Sequence, residues 1–247
     1  MHLRNTVALF AASAAATHPR LSRRDVSWGP IIGFQATTSE IISTTSTMYP
    51  GKMPSNQKGY MFTWIGVGGE GDGKDLIQSI VGSYPAGQSE CTGANADSTW
   101  CVSSEVYGLD SSGATMQFVG EKTTADANYE NGIIFDYKLK DTSSYSWTQT
   151  MTDAVTGDVL STYTKVSKQK STLWNTAIEL QDSNGVAASG TTEPQYYVNT
   201  TIVLAEADAN FGSTIYGESG GSYTTPKTTD GGKTWTIEKI TVPAMSS

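Results

Sequence analysis

Short segments in which apolar and polar residues alternate recur along almost the whole chain, and turn signals separate them. Examples are YMFTWIGV, GIIFDYKLK, VLSTYTKV and KTWTIEKITV, and the turns include DSSG, VTGD and DSNG. Alternation with a period of two is typical of strands that bury one face, and Gly, Asn and Asp favour the reversals between strands. The sequence therefore predicts an all-β fold, a single antiparallel β-sandwich formed by residues 25–247.

The first 24 residues are predicted to direct export and to be absent from the mature protein. Residues 1–16 combine a basic start, an apolar run and three consecutive small residues, which are the features of a signal peptide. Residues 17–24 end in two arginines, a dibasic pair typical of processing in fungal secretion, and are predicted to be a short pro-segment. We expect the mature protein to begin near Asp25 and to be located in the secretory pathway or outside the cell.

The charge distribution excludes several kinds of chemistry. All four Arg and both His precede residue 25, so the mature protein carries neither, and its 12 Lys stand against 24 Asp and Glu (12 − 24 = −12). Without His, the Ser-His-Asp and Cys-His mechanisms and His-ligated metals are excluded, and without Arg no bidentate anion clamp exists. No basic stripe favours nucleic acid. We predict no cofactor, no metal, no nucleic-acid partner and, after signal removal, no membrane association.

Two further features are typical of an exported chain. Cys91 and Cys101 are the only cysteines and stand ten residues apart, so we expect one disulfide between them. The sequence Asn-Thr-Thr that begins at Asn199 matches the acceptor pattern for N-glycosylation, which predicts a surface position for Asn199. Neither feature is predicted to take part in catalysis.

A polar amide interrupts one of the most apolar predicted strands. Gln78 stands in the middle of LIQSIVG, with Ile77 before it and Ile80 two residues after it. A buried amide without a hydrogen-bond partner costs roughly 1 to 3 kcal/mol. Gln78 is therefore expected either to find partners in the interior or to face a cleft.

Five short segments follow one another in an order that occurs in a known family. They are SWG (27–29), WIGVGG (64–69), LIQS (76–79), SEVY (104–107) and NFGS (210–213). In this order they resemble motifs of the fungal glutamic peptidases, the eqolisins, among them Asn-Trp-Ala-Gly, Trp-Val-Gly-Ile-Asp-Gly and Ile-Leu-Gln-Thr. The resemblance implies a sandwich of two large antiparallel sheets with a groove on one concave face.

The resemblance also implies a catalytic role for Gln78, which stands where the family has its catalytic Gln. The family pairs this Gln with a Glu in Asn-Ala-Glu-Trp; here the region reads NTAIEL, and Glu179 takes that place only after a shift of one or two residues. A shift of one residue would turn the side chain to the opposite face. Gly68 replaces the family's Asp, whereas Glu105 is retained in the segment similar to Tyr-Glu-Trp-Tyr. The candidate catalytic residues are Gln78, Glu105 and Glu179.

Two enzymatic functions fit these residues. The resemblance implies an acid endopeptidase for polypeptide substrates, in which Glu179 supplies acid–base catalysis and the Gln78 amide stabilises an oxyanion. The chain also resembles, in size and export signal rather than in a motif, fungal hetero-Diels–Alderases, which couple a tropolone-derived quinone methide to a terpene. A pericyclic step needs shape, proximity and a hydrogen-bond donor rather than His or metal. We favour this second function, a cofactor-free cyclase for a small apolar substrate.

The aromatic residues predicted to bind the substrate are Trp64, Tyr107, Tyr145 and Trp147. Alternation in YSWTQTM places Tyr145 and Trp147 on one face of a strand, where they belong either to the core or to the groove. A third function is a glycan-binding module, with tryptophans as stacking platforms: Trp64, Trp100, Trp147, Trp174 and Trp235. A glycosidase would need two facing carboxyls, for which Glu105 and Glu179 are the candidates.

Overall fold

Strands form nearly all of the regular structure in the computed structural model, which describes residues 26–70, 74–167 and 169–246. The predicted signal peptide and pro-segment lie outside the described residues. A single 3-10 turn, Phe211–Thr214, is the only helical segment among the described residues. The strands are β1 (Val26–Phe34), β2 (Ile41–Tyr49), β3 (Gly51–Lys52), β4 (Ser55–Lys58), β5 (Tyr60–Gly68), β6 (Leu76–Ser83), β7 (Trp100–Leu109), β8 (Thr115–Ala125), β9 (Asn128–Tyr129), β10 (Ile133–Asp141), β11 (Ser146–Asp153), β12 (Val159–Val166), β13 (Leu173–Gln181), β14 (Ser189–Thr192), β15 (Gln195–Leu204), β16 (Ile215–Glu218), β17 (Ser222–Tyr223), β18 (Thr234–Val242) and β19 (Met245–Ser246).

Two seven-stranded antiparallel sheets make up most of the fold. Sheet A has the order β16-β1-β13-β5-β6-β7-β8, and sheet B has the order β12-β11-β10-β2-β15-β18-β17. Two small sheets, β19-β14-β4 and β3-β9, lie beside them. The prediction of an all-β antiparallel sandwich is confirmed.

The main hydrophobic core lies between the two sheets. It contains Ile65 and Trp174 of sheet A together with Phe135, Tyr137 and Met151 of sheet B. The hydroxyl of Tyr137 donates a 2.7 Å hydrogen bond to the carbonyl of Ile65, which satisfies a buried polar group and joins the two sheets. Burial of this apolar surface is the principal driving force for the sandwich.

Sheet A is also covered on its outer face, which points away from sheet B. Strands β5, β6 and β13 are buried at every position, whereas β11 of sheet B alternates between buried and half-buried residues. A second apolar cluster, which includes Phe62, Trp64 and Ile80, occupies this outer face. The predicted disulfide is confirmed, and both of its members, Cys91 and Cys101, belong to the same cluster.

The predicted glycosylation site lies on the surface of sheet B. Asn199 is exposed in the middle of β15, with a φ of 54° at an irregularity in the pairing with β2. That position is accessible to modification, and N-glycosylation stays a prediction.

Within the described ranges, no helix has the length and apolarity needed to cross a bilayer.

Candidate active site on the outer face of sheet A

One line of paired residues crosses sheet A and carries three of its buried polar residues, Gln78, Glu105 and Asn175. Gln78 of β6 is paired with Glu105 of β7 on one side and with Gly66 of β5 on the other. The line continues through Asn175 of β13 to Gly33 of β1 and then to Tyr216 of β16. Side chains that are directly opposite in neighbouring strands point to the same face, with Cβ atoms about 5 Å apart. The sequence places Gln78 and Glu105 far apart, but the register makes them neighbours.

The two glycines of this line leave space between its polar side chains. A Cβ at Gly33 would lie 2.0 Å from Oδ1 of Asn175, and a Cβ at Gly66 would lie 2.6 Å from Cδ1 of Leu76. Oδ1 of Asn175 instead accepts a 3.0 Å hydrogen bond from the Tyr216 hydroxyl, which fixes both side chains. Glycine at these two strand positions therefore permits a close approach of side chains from the adjacent strands.

Gln78 is the least satisfied polar residue of the face. Its side chain is 1% exposed, and neither Nε2 nor Oε1 has a hydrogen-bond partner. The residues around it on the same face are largely apolar, including Leu76, Ile80 and Trp64. A buried amide in this state carries a desolvation penalty that a ligand with complementary polar groups would remove. Gln78 thus has no hydrogen-bond partner among the described residues, and at 1% exposure its side chain does not open to solvent either.

Glu105 is also 1% exposed, but it is held by side chains on both of its oxygens. Ser103 Oγ lies 2.5 Å from Oε1, and Nε2 of Gln117 donates to Oε2. Burial, followed by the negative charge of Glu90, raises the pKa of Glu105 to about 8. Lys122 acts in the opposite direction, since its positive charge favours the carboxylate. At pH 6 the carboxyl of Glu105 is accordingly neutral and can donate a proton or a hydrogen bond.

Glu179 lies on the same face at a distance from Gln78. Glu179 of β13 is paired with Phe62 of β5, whereas Gln78 lies on β6, two strands from β13. Along the strands, Glu179 lies four residues from the position on β13 that is in line with Gln78. In a regular sheet these offsets correspond to about 10 Å across the strands and about 13 Å along them. Nε2 of Gln181 donates a 2.7 Å hydrogen bond to Oε1 of Glu179. Burial raises the pKa of Glu179 to about 8, with a smaller contribution from the charge of Glu105. Glu179 therefore points to the same face of sheet A as Gln78.

Two of the four aromatic residues predicted to bind substrate lie on this face. Trp64 is 3% exposed and packs edge-on against Trp28, with ring centroids 6.3 Å apart. Its indole N–H is near enough to Glu179 to lower the pKa of that residue, although it makes no hydrogen bond of regular geometry. Tyr107 is half-buried against the same apolar cluster. An aromatic and aliphatic surface therefore surrounds the polar line.

The other two aromatic residues lie elsewhere, which corrects their predicted role. Trp147 belongs to the main core between the sheets and is 1% exposed, because alternation along β11 turns it inward. Tyr145 lies in the turn before β11, with a φ of 52°, and is outside the strand whose alternation was used to orient it. Three further tryptophans considered as glycan platforms are also in the main core: Trp100, Trp174 and Trp235. This burial removes the tryptophan surface on which the glycan-binding hypothesis depended.

Several residues of the site are not evident from the sequence. Gln117 belongs to β8, a segment without a clear alternating pattern, and Asn175 and Tyr216 reach the polar line only through strand pairing. Gln149 of sheet B supports the site from the core side. Its Nε2 donates a 2.8 Å hydrogen bond to the carbonyl of Glu105, and its Oε1 accepts a 3.2 Å bond from Ser79. Only Ser103 has a sequence signal, since it stands two residues before Glu105 in the same strand.

The arrangement can bind and polarise an organic molecule but offers little for metal chemistry. It combines one unpartnered amide, two carboxyls of raised pKa and an apolar surround. Among the described residues, no three His, Cys, Asp or Glu side chains are grouped so as to hold a metal ion. The prediction that the protein needs no cofactor stays a prediction.

Neither a protein-family model nor a curated protein sequence matches this chain. Solved structures of similar architecture include scytalido-glutamic peptidase with a peptide-based transition state analog, at 14% identity and a TM-score of 0.46. Scytalido-glutamic peptidase with a transition state analog inhibitor has 15% identity and a TM-score of 0.48. SCP-B, a member of the eqolisin family in complex with the tripeptide Ala-Ile-His, has 15% identity and a TM-score of 0.42. Each similarity covers 87% of this chain and 99% of the other. At these identities no activity transfers to this chain.

Proposed function

We propose that the outer face of sheet A binds a small, largely apolar molecule and that the protein is a cofactor-free cyclase of the hetero-Diels–Alderase type. The observation that carries the proposal is the Gln78 amide, which is buried in an apolar surround with both polar atoms unpartnered. Desolvation makes its hydrogen bond to a ligand oxygen stronger than the same bond in water. The disulfide supports the proposed location in the secretory pathway, because such bonds persist in oxidising compartments.

In this mechanism the protein supplies hydrogen bonds and orientation. The N–H of Gln78 binds a carbonyl oxygen of the substrate and lowers the energy of the transition state as negative charge grows on that oxygen. Glu105, directly opposite Gln78 and neutral below its raised pKa, is placed to contribute a second donor. The apolar surface around them holds the two reacting parts together, which lowers the entropic cost of joining them.

The peptidase alternative has the right residue types but a less favourable arrangement. An acid peptidase needs an ionised carboxylate that takes a proton from water at low pH. Glu105 and Glu179 both have a pKa raised to about 8, so at the pH of such an enzyme they hold their protons. The residue in line with Gln78 on β13 is Asn175, and Glu179 lies two rows away. These features favour donor catalysis over activation of water.

The test is a cycloaddition assay with a quinone methide generated in situ and a cyclic sesquiterpene alkene. The wild-type protein should accelerate the reaction and give one enantiomer in excess. Gln78→Leu, which keeps the bulk and removes the donor, should lower the rate by roughly 2 to 3 kcal/mol of transition-state stabilisation. Gln35→Leu, at an exposed glutamine after β1, is the matched control and should react at the wild-type rate.

Casein digestion at pH 3 separates the two enzymatic functions. The cyclase proposal expects no cleavage by the wild-type protein at any pH between 3 and 8. Cleavage at pH 3 that disappears in Gln78→Leu would replace the cyclase with the peptidase. Racemic product formed at the uncatalysed rate by the wild-type protein would also count against the cyclase.

A further inference from the structure

Gln117 is a buried glutamine of the same face with one polar atom left unpartnered. Its side chain is 6% exposed, and it stands opposite Tyr107 in the pairing of β7 with β8. Nε2 donates to Oε2 of Glu105, whereas Oε1 is buried and has no hydrogen-bond partner. An amide oxygen without a donor is as costly to bury as an amide N–H without an acceptor. Oε1 of Gln117 therefore forms no hydrogen bond with any described residue.

The Gln117 amide is oriented with its N–H toward Glu105. Nε2 donates to Oε2 of that carboxyl, and Oε1 is the atom left unpartnered. Ser103 holds the other carboxyl oxygen of Glu105 at 2.5 Å, so the carboxyl is itself anchored. Oε1 of Gln117 is therefore held as a free acceptor beside the Gln78–Glu105 pair.

The free polar atoms of Gln78 and Gln117 define which polar groups a ligand must carry. Gln117 and Gln78 each present an unpartnered acceptor, and Gln78 also presents an unpartnered donor. Two amide oxygens cannot satisfy each other, since both are acceptors. A complementary ligand supplies hydroxyl donors for the two oxygens and one carbonyl acceptor for the Gln78 N–H. The aromatic ring of Tyr107, which is paired with Gln117, favours a flat ligand at this end of the face.

We infer that Gln117 is a substrate-binding residue that accepts a hydrogen bond from a hydroxyl group, and that the ligand is a hydroxylated aromatic carbonyl compound. This rests on the proposed function, because it assigns the polar end of the same substrate. It adds a requirement that the cyclase proposal does not contain, namely that the substrate carries hydroxyl donors as well as a carbonyl.

Binding measurements with a matched pair of probes test the inference. The probe is 3,5-dihydroxybenzaldehyde, and its control is 3,5-dimethoxybenzaldehyde, which keeps the carbonyl and the ring but lacks the donors. Wild-type protein, titrated by calorimetry, should bind the dihydroxy compound at least about tenfold more tightly. Gln117→Met should reduce that preference several-fold, while Gln35→Met, at the exposed glutamine, should leave it unchanged.

The outcomes separate this inference from the cyclase proposal. Equal binding of the two probes to the wild-type protein, no binding of either at millimolar concentration, or an unchanged preference in Gln117→Met would each overturn the role of Gln117. None of these results would affect a Gln78-dependent cycloaddition. Should Gln117→Met fail to fold, Gln117→Asn, which keeps the amide but is one methylene shorter, must show the same loss of preference.

Discussion

The two outer faces of the sandwich differ in how their polar residues are solvated. On the outer face of sheet B, Thr148 and Thr164 stand opposite each other, join their hydroxyls at 2.8 Å and remain in contact with solvent. On the outer face of sheet A, Gln78 and Glu105 also stand opposite each other, but both are 1% exposed. The pairing geometry is the same, and only the surroundings differ.

The difference shows what makes a polar strand residue available for function. Water satisfies the threonines of sheet B, so their hydrogen bonds contribute little net free energy. The amide of Gln78 has neither water nor a protein partner, and burial raises the pKa of Glu105. Desolvation therefore leaves the Gln78 amide unpartnered and Glu105 with a raised pKa on the outer face of sheet A, whereas the polar groups on the outer face of sheet B stay solvated.

The largest effect should be a loss of stability as pH rises. Glu105 and Glu179 have a pKa of about 8 when folded and an ordinary value of 4.5. Between these values the folded protein holds protons that the unfolded chain releases, so the free energy of unfolding falls by about 2 kcal/mol per carboxyl from pH 5 to pH 7. Urea denaturation at pH 5, 6, 7 and 8 measures the free energy of unfolding at each pH.

Two variants sharpen the pH experiment. The double variant Glu105→Gln/Glu179→Gln should lose most of the slope, and the exposed control Glu206→Gln should keep it. A wild-type stability that rises from pH 5 to pH 8 would show that the two faces do not differ in desolvation. Activity should be flat from pH 5 to pH 7 and should decline above pH 8, as Glu105 loses its proton.

The next effect concerns the disulfide, which crosslinks only the sheet A side. Replacing Cys91 and Cys101 by Ala should lower the free energy of unfolding by roughly 2 to 3 kcal/mol, because the unfolded chain gains entropy when a short loop is opened. Hydrogen exchange should accelerate in residues 85–103 and stay unchanged in β11 and β12. Uniform acceleration across both sheets would contradict a local role for this bond.

A smaller effect, of opposite sign, is expected for Gln78→Leu. Removing an unpartnered buried amide should raise the free energy of unfolding by about 1 kcal/mol, while the same change abolishes most of the proposed activity. A gain in stability joined to a loss of activity is the behaviour of a residue retained for function. Destabilisation by Gln78→Leu in thermal melts would mean that the amide has partners after all.

The smallest effect belongs to the sheet B face. Thr148→Val removes the hydrogen bond to Thr164 but leaves both positions accessible to water, so the free energy of unfolding should change by less than about 0.5 kcal/mol. Cycloaddition by this variant should equal that of the wild-type protein. A change in the free energy of unfolding larger than about 1 kcal/mol would contradict the proposed difference in solvation between the two outer faces.

Local patterns account for the parts of the fold that were predicted. Alternating patterns and the turn residues between them predicted the strands β5, β10, β12 and β18. β8 and β16, which complete sheet A at its two edges, have no comparable signal. Gln117 and Tyr216 lie on these two strands, so the site residues they contribute were missed with them.

Local sequence patterns also did not determine which face of a sheet the aromatic residues occupy. Alternation in YSWTQTM indicated that Trp147 lies either in the core or in the groove, and Trp147 is buried in the core. It did not indicate whether the face of Trp147 meets the core or the outer side of a sheet, because a period of two describes both equally. Trp64 and Trp147 are both buried, yet only Trp64 lies beside Glu179 on the outer face of sheet A.

The sequence by itself determined the class of fold and the disulfide, because short-range alternation and cysteine content fix these properties. It also places every His and Arg before residue 25. Alternation along β7 already predicts that Glu105 shares a face with Gln78, and the tertiary structure decided that the two are paired directly, that Gln117 joins them and that Glu179 lies two rows away. Strand register is set by long-range pairing, and burial by what packs over a face. The state of a buried amide or carboxyl depends on both, so no local pattern encodes it.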